Sequence, residues 1–275
     1  MTRLLNLSLF LSITLLISGC VSIFSLSDLK PKDLEYPDSH VTAKKLLADM
    51  GKAHGIEVWD TIETYTAKFG DEFYGFFGKQ GNPFKEQTMK FSLSFIPQTF
   101  NGQLEVTSGK EKGILWGIQS GLTYTKNKDD QFEEKKNTDM KFWIPTYQYF
   151  IEFPSRIQEA TALEYIGSTL INNVKVEGVI ASWGTVDAQK DTDQYVIWID
   201  SKTKRIVKID YTVRDMYRFI SGTAYFKDYK DYNGLLLPSE YPVESNLVKD
   251  GLLHTMSIVD FKINLVSKDS LLPMD

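Results

Sequence analysis

The chain has 275 residues, 42% of them hydrophobic and 13% aromatic, and 31 basic against 36 acidic side chains give a formal charge of −5. That length supports one large domain or two small ones, and the acidic balance argues against nucleic acid or anionic lipid heads as partners. A single cysteine excludes a disulfide framework, so stability must come from an apolar core.

The first element in chain order is MTRLLNLSLFLSITLLISGC. Its apolar stretch, Leu4 to Ile17, falls short of the roughly 20 residues that a bilayer span requires. It also lacks the polar opposite face of a core helix, because Asn6, Ser8, Ser12 and Thr14 are its only polar breaks. Arg3 before it and the small residues Ser18 and Gly19 after it match a secretory signal. Residues 1–19 are therefore read as a signal peptide.

Ile17-Ser18-Gly19-Cys20 resembles the lipobox of bacterial lipoproteins. The resemblance implies that the Cys20 thiol receives a diacylglycerol, that cleavage precedes Cys20, and that the new amino end is acylated by a palmitate-type chain. Acylation removes a thiol that would otherwise stand alone in an oxidising compartment. Several acyl chains, at about 0.8 kcal/mol per buried methylene, anchor a protein stably. Removal of residues 1–19 takes away one basic residue, Arg3, and no acid, so the remainder carries −6.

Residues 20–40 form the lipidated cysteine and a tether. Pro31, Pro37 and scattered small polar residues leave no sustained period. A flexible chain of that length reaches roughly 25 Å. The alternative is an extended segment packed on the domain that follows, residues 41–275.

SHVTAKKLLADMGKAHG predicts an amphipathic helix capped by Ser39 and ended by Gly55, with Ala43, Leu46, Leu47, Met50 and His54 on one face. His54 near its C-terminus fits a favourable dipole contact. A period of two then predicts strands at 62–69, 88–96, 103–108, 113–119 and 122–126, with Asn101-Gly102 as a hairpin signal. Residues 126–137, KNKDDQFEEKKN, read as a solvated loop. MKFWIPTYQYFIEFPSRI, residues 140–157, predicts an apolar helix opened by Pro145 and stopped by Pro154. Strands follow at 162–166, 174–183, 195–200, 205–214, 222–229, 235–241 and 252–266. Pro238 and Pro242 make theirs an edge or an interrupted strand. The sum is mainly β (α+β): a large, curved, unclosed antiparallel sheet wrapped around a few helices.

This order resembles the bacterial lipoprotein-carrier fold, the LolA/LolB-like superfamily. The resemblance rests on the opening helix ending AHG before VWDTIETY, on the segment FWIPTYQYFIEFP, and on YVIWIDSKTKRIVKIDYTVRD before GTAYFKDYKDYNGLLLP. It implies binding of lipids, acyl chains or other apolar ligands between sheet and helices. It also implies an arginine inside the cavity, for which Arg156, Arg205, Arg214 and Arg218 are candidates.

Catalytic signals are sparse. The histidines are His40, His54 and His254, without metal-ligand spacing, and no nucleophile or phosphate-loop motif occurs. The acidic pairs Asp71-Glu72, Glu133-Glu134 and Asp228/Asp231 read as solvated. No enzyme activity and no cofactor are expected. The expected function is non-covalent binding of a lipid, acyl chain or lipoprotein in an apolar cleft lined by Trp116, Phe142, Trp143, Tyr147, Phe150, Trp183 and Trp198. The alternatives are an assembly lipoprotein docking another envelope protein, a glycan-binding module and an envelope hydrolase. Val21 differs from the aspartate of the enteric inner-membrane retention signal, so the expected address is the outer membrane, facing the periplasm.

Overall fold

The structure is a computed structural model that describes residues 26, 36–214, 220–245 and 251–274. Helix α1 spans Ser39–Ala53, and a short 3-10 turn, Ile56–Thr61, leads into β1, Tyr65–Phe73. Helix α2, Gly75–Gly81, separates β1 from β2, Thr88–Phe95. Strands β3 (Gly102–Val106), β4 (Leu115–Gln119), β5 (Leu122–Lys126) and β6 (Phe132–Glu134) precede the long helix α3, Thr138–Arg156. After it come β7 (Ala162–Ile171), β8 (Val174–Ser182), β9 (Gln194–Asp200), β10 (Ile206–Thr212), β11 (Ser221–Tyr225) and β12 (Lys227–Tyr232). The last elements are β13 (Leu235–Ser245), β14 (Leu252–Ile263) and α4 (Lys268–Leu271).

All fourteen strands join one open antiparallel sheet, ordered β6-β5-β4-β3-β2-β1-β14-β13-β11-β10-β9-β8-β7, with β12 also pairing β13. Alternation sets its two faces. On β1, Tyr65, Ala67 and Phe69 point into the main core, as do Val179 and Ala181 of β8 and Tyr195 and Ile197 of β9. Met140, Ile144, Tyr147, Ile151 and Phe153 of α3 fill the concavity against them. Helix α1 buries Ala43, Leu46, Leu47 and Met50 beside α3.

Four expectations change. Helix α3 begins before Pro145 and passes through Pro154, because the Asn137 side chain caps it by accepting from the Asp139 and Met140 amides. Strand β13 lies inside the sheet, yet its prolines fall where a neighbour is missing. Pairing to β14 starts only at Glu240, and the other side passes from β12, ending at Glu240, to β11, starting at Val243. The strand expected over 222–229 splits into β11 and β12 beside Asp228, whose φ is +53°. The loop over 126–137 contains the three-residue strand β6.

Antiparallel pairing gives the sheet two rims. The upper rim carries the end of β1, the starts of β2 and β9, the ends of β8, β10 and β13, and the starts of β11 and β14. The lower rim carries the β7–β8, β9–β10 and β12–β13 turns. On the outer face, Leu26 is buried against Ile166, Ile180 and Val196. Its amide donates to Gln194 Oε1 at 3.2 Å. Tyr36 packs edge-on against Tyr165, with ring centroids 5.0 Å apart. At these two points the chain before α1 is held on the domain.

Candidate functional site

The helix–sheet junction is set by two buried polar clusters. In the first, Glu152 of α3 accepts from Tyr65 Oη at 2.9 Å, Gln148 Nε2 at 2.7 Å, the Gln98 amide at 2.9 Å and Arg156 Nε at 2.9 Å. Burial pushes the Glu152 carboxyl up, and Arg156 together with these donors pulls it back. The Arg156 guanidinium lies 3.9 Å from the centre of the Phe100 ring.

In the second cluster, Tyr147 Oη donates to Asp71 Oδ2 at 2.9 Å, and His254 Nδ1 lies 2.9 Å from Asp71 Oδ1. His254 stacks on Phe73, with Trp143 edge-on to it. Asp71 is therefore buried, not solvated as its acidic neighbour Glu72 suggested. Burial lifts the Tyr147 phenol well above its ordinary value and keeps it a neutral donor.

His54 also departs from expectation. A dipole contact would need a charged imidazole, but His54 is 1% exposed and its pKa is lowered to about 4 by burial. Its Nδ1 lies 3.2 Å from Leu236 O, and the Ile206 amide donates to Nε2 at 3.2 Å. It is a neutral tie between α1, β10 and β13.

Between α3 and the upper strand ends lies a cavity of about 480 Å³. Phe142, Trp143, Tyr149 and Phe150 supply its helix wall, and Trp183, Tyr195 and Tyr211 its sheet wall. Phe100 reaches in from the β2–β3 turn. Tyr149 stacks on Tyr195, and burial raises its phenol to about 12. Lys141 and Asp191 at the exposed mouth, Asp193 with Arg214, and His254 are its charged or titratable non-phenolic groups, and Thr146, Thr192 and Thr212 add hydroxyls. Burial lowers the Arg214 pKa and Asp193 opposes that, so the guanidinium stays charged.

Of the seven aromatic residues singled out from sequence, Phe142, Trp143, Phe150 and Trp183 meet in this cavity. Tyr147 stands behind Trp143, fully buried against Phe69 and Phe91. Trp116 lines a separate cleft of about 350 Å³ with Phe84, Ile114 and Met140. Trp198 is on the outer face, where its Nε1 donates to Asp210 Oδ2 at 2.8 Å. Cys20 and Arg218 lie outside the described residues. Among the other arginines, Arg156 is committed to Glu152 and Arg205 lies over Tyr229, which leaves Arg214 at the cavity. Sequence reasoning missed Tyr149, Tyr195, Tyr211 and His254. The period of two puts Tyr195 and Tyr211 on the inner face of their strands, a signal available beforehand.

Among the described residues no helix is long and apolar enough to cross a membrane, and no cluster of three or more His, Cys, Asp or Glu side chains could hold a metal. The hydroxyls of Thr146 and Thr212 at the cavity are bonded to Phe142 O and Asp193 Oδ1.

An open sheet with one long helix laid in its concavity and an aromatic space between them defines the class: an unclosed β half-barrel. No protein-family model matches the chain, and comparison with curated proteins gave no match. Solved structures do match. A domain described as an outer membrane lipoprotein-sorting protein from Vibrio parahaemolyticus is 12% identical at TM-score 0.56, over 84% of this chain and 96% of that one. The LolA superfamily protein NE2245 from Nitrosomonas europaea is 8% identical at TM-score 0.54, over 83% and 96%. A DUF1329 family protein from Desulfovibrio piger is 10% identical at TM-score 0.53, over 85% and 97%. The chain has a LolA-like fold.

Proposed function

We propose that the protein is an envelope lipoprotein that binds a lipid or acyl chain non-covalently in the cavity between α3 and the upper strand ends. The carrying observation is the cavity itself. Its volume of about 480 Å³ falls within the roughly 300–1,000 Å³ of small-molecule sites. Aromatic rings supply most of its walls, and a small set of charged groups lines the rest. Apolar area removed from water there contributes about 25 cal/mol per Å². The net charge disfavours attraction to an anionic lipid surface, but inside the cavity Arg214 and Lys141 suit a single anionic head group, and His254 offers a further polar contact. The LolA-like fold supports the same reading, because the solved relative from Vibrio parahaemolyticus is described as sorting lipoproteins.

Cys20 is the proposed acylation site, and the proposed address is the outer membrane, facing the periplasm. The reading involves no chemical step. The His254–Asp71 pair ties to Tyr147 of α3 and so fixes the cavity wall, and the Thr146 and Thr212 hydroxyls are bonded to Phe142 O and Asp193 Oδ1, not to His254. The test is native mass spectrometry and lipid extraction of the chain from residue 21, followed by displacement of a fluorescent fatty acid. Saturable displacement by lipids is expected. Ligand-free protein that neither takes up nor releases the probe refutes the proposal.

A further inference from the structure

His254 breaks an otherwise apolar line. Across the inner face Phe73, His254, Val243, Ala224, Ile209 and Ile197 stand in register on β1, β14, β13, β11, β10 and β9. A polar side chain in such a row is costly unless hydrogen bonds replace the water it loses. The fold supplies that replacement at one ring nitrogen only. Nδ1 faces both oxygens of Asp71, at 2.9 and 3.1 Å, and Tyr147 Oη donates to the same carboxylate.

This arrangement fixes the tautomer. The Asp71 carboxylate has only acceptors to offer, so the proton of the neutral imidazole stands on Nδ1 and the lone pair on Nε2. Phe73 stacks on the ring with an interplanar angle of 8°, and Trp143 meets it edge-on. The residue is only 7% exposed, and it borders the cavity. Nε2 has no hydrogen-bond partner among the described residues. The tie between sheet and helix is complete through Nδ1. It leaves an acceptor without a donor at an apolar site, where such a group is costly to leave unpaired.

An acceptor set among rings selects a donor. Arg214 and Lys141 are donors only and suit an anion. Arg214 follows β10, which stands three steps from β14 in the order β14-β13-β11-β10. At about 4.8 Å a step, those strands are about 14 Å apart along the sheet. A chain whose carboxylate meets Arg214 therefore meets His254 along its middle, not beside its head.

We infer that His254 Nε2 accepts a hydrogen bond from a hydroxyl carried in mid-chain, so that the cavity takes hydroxylated acyl chains in preference to plain ones. A plain chain leaves Nε2 dry and unpaired, and a hydroxylated one gives it a donor. The inference rests on the reading of the cavity as an acyl-chain site.

The test follows displacement of a fluorescent fatty acid from the chain lacking residues 1–20, which keeps every residue of the described fold. 12-Hydroxystearate, whose hydroxyl stands well away from its carboxylate, should bind about fivefold more tightly than stearate, the order of one hydrogen bond to an otherwise unpaired acceptor. 2-Hydroxystearate should match stearate. Displacement by stearate with less than about a twofold preference for 12-hydroxystearate, or with a preference for 2-hydroxystearate, overturns the inference and leaves the acyl-chain reading intact. Displacement by none of the three overturns both. In His254→Phe the preference should vanish, and a preference that survives there overturns the inference. That substitution strips Asp71 of a partner and can unfold the chain, so the natural chain labelled with nitrogen-15 histidine supplies a second readout. Its histidines are three, His40, His54 and His254. At pH 8 His254 should show a bare Nε2 whose resonance shifts with 12-hydroxystearate and stays in place with stearate. A proton on Nε2 in the free protein, or a resonance that 12-hydroxystearate leaves unmoved, overturns the inference.

Discussion

His54 offers a sharp test of the packing, because its protonation and its two hydrogen bonds oppose each other. The imidazole is neutral in the fold: the Ile206 amide needs Nε2 as an acceptor, and a proton there would set two donors face to face. Its pKa falls from 6.5 to about 4, chiefly through burial, with the nearby Arg205 lowering it further. Above pH 6.5 the group is neutral in both the folded and the unfolded chain, and its stabilising contribution is fully present. Between about pH 6.5 and 4 the unfolded chain takes up a proton that the folded one refuses. Stability therefore falls as the pH falls, and the loss is complete below about 4. A shift of that size corresponds to about 3 kcal/mol, at 1.36 kcal/mol for each pH unit.

Other groups titrate in the same range, so the informative quantity is the gap between the natural chain and His54→Gln. Urea unfolding of both, without residues 1–20, would be followed by tryptophan fluorescence at pH 7.5, 6, 5 and 4. At pH 7.5 the variant should be less stable by about 1–3 kcal/mol, because a buried amide loses a well-placed acceptor. Between pH 7.5 and 4 that gap should close by about 3 kcal/mol. A gap constant to within about 0.5 kcal/mol would show that His54 titrates alike in both states, and the burial argument would fail.

Glu152→Gln should destabilise the fold by about 3 kcal/mol in the same assay, because it leaves the buried Arg156 cation without its carboxylate. Trp183→Ala should weaken fatty-acid displacement about tenfold, a loss of about 1.4 kcal/mol, while Trp198→Ala on the outer face should leave it unchanged. Arg214→Gln should weaken binding of a fatty acid more than that of a neutral monoacylglycerol, measured by competition; equal losses would remove Arg214 from the head-group site.

Much of the fold was legible because the inner face is apolar over long stretches. Alternation in YTAKFGDEF marks a strand whose inner face is buried, whereas QYVIWID is apolar on both faces, with Ile197 in the main core and Val196 buried under Leu26. The prolines misled for a physical reason. Pro145 and Pro154 lie in a helix whose start is fixed by Asn137 and whose body is held by the core contacts of Tyr147, Ile151 and Phe153. Tertiary packing outweighs the local cost. Within the site, FWIPTYQYF identified the helix wall, but the sheet wall needs to be known in three dimensions. Tyr195 and Tyr211 are adjacent in register on β9 and β10, while their sequence positions give no sign that α3 faces them. Trp198 and Trp183 look alike in sequence. The step of a few residues that puts one outside and the other at the cavity depends on where β8 ends and β9 begins.

The two buried clusters fix where α3 lies relative to the sheet, and with it the width of the cavity. A half-barrel that held its helix by apolar contacts alone could close by sliding α3 toward the sheet, since such contacts are not directional. Glu152 fixes the lower part of α3 to Tyr65 of β1 and to the Gln98 amide, and Tyr147 fixes its middle to Asp71 of the same strand. Both attachments are to the β1 side of the sheet. The cavity lies on the other side, against β9 and β10. With α3 tied to one side, the space on the other is bounded by stacked rings and by the charged mouth. Collapse there would bury Lys141 and the Arg214–Asp193 pair more deeply, at a desolvation cost that ring contacts alone do not offset. The asymmetry of the ties thus keeps open a cleft at the rim where Leu26 holds the chain.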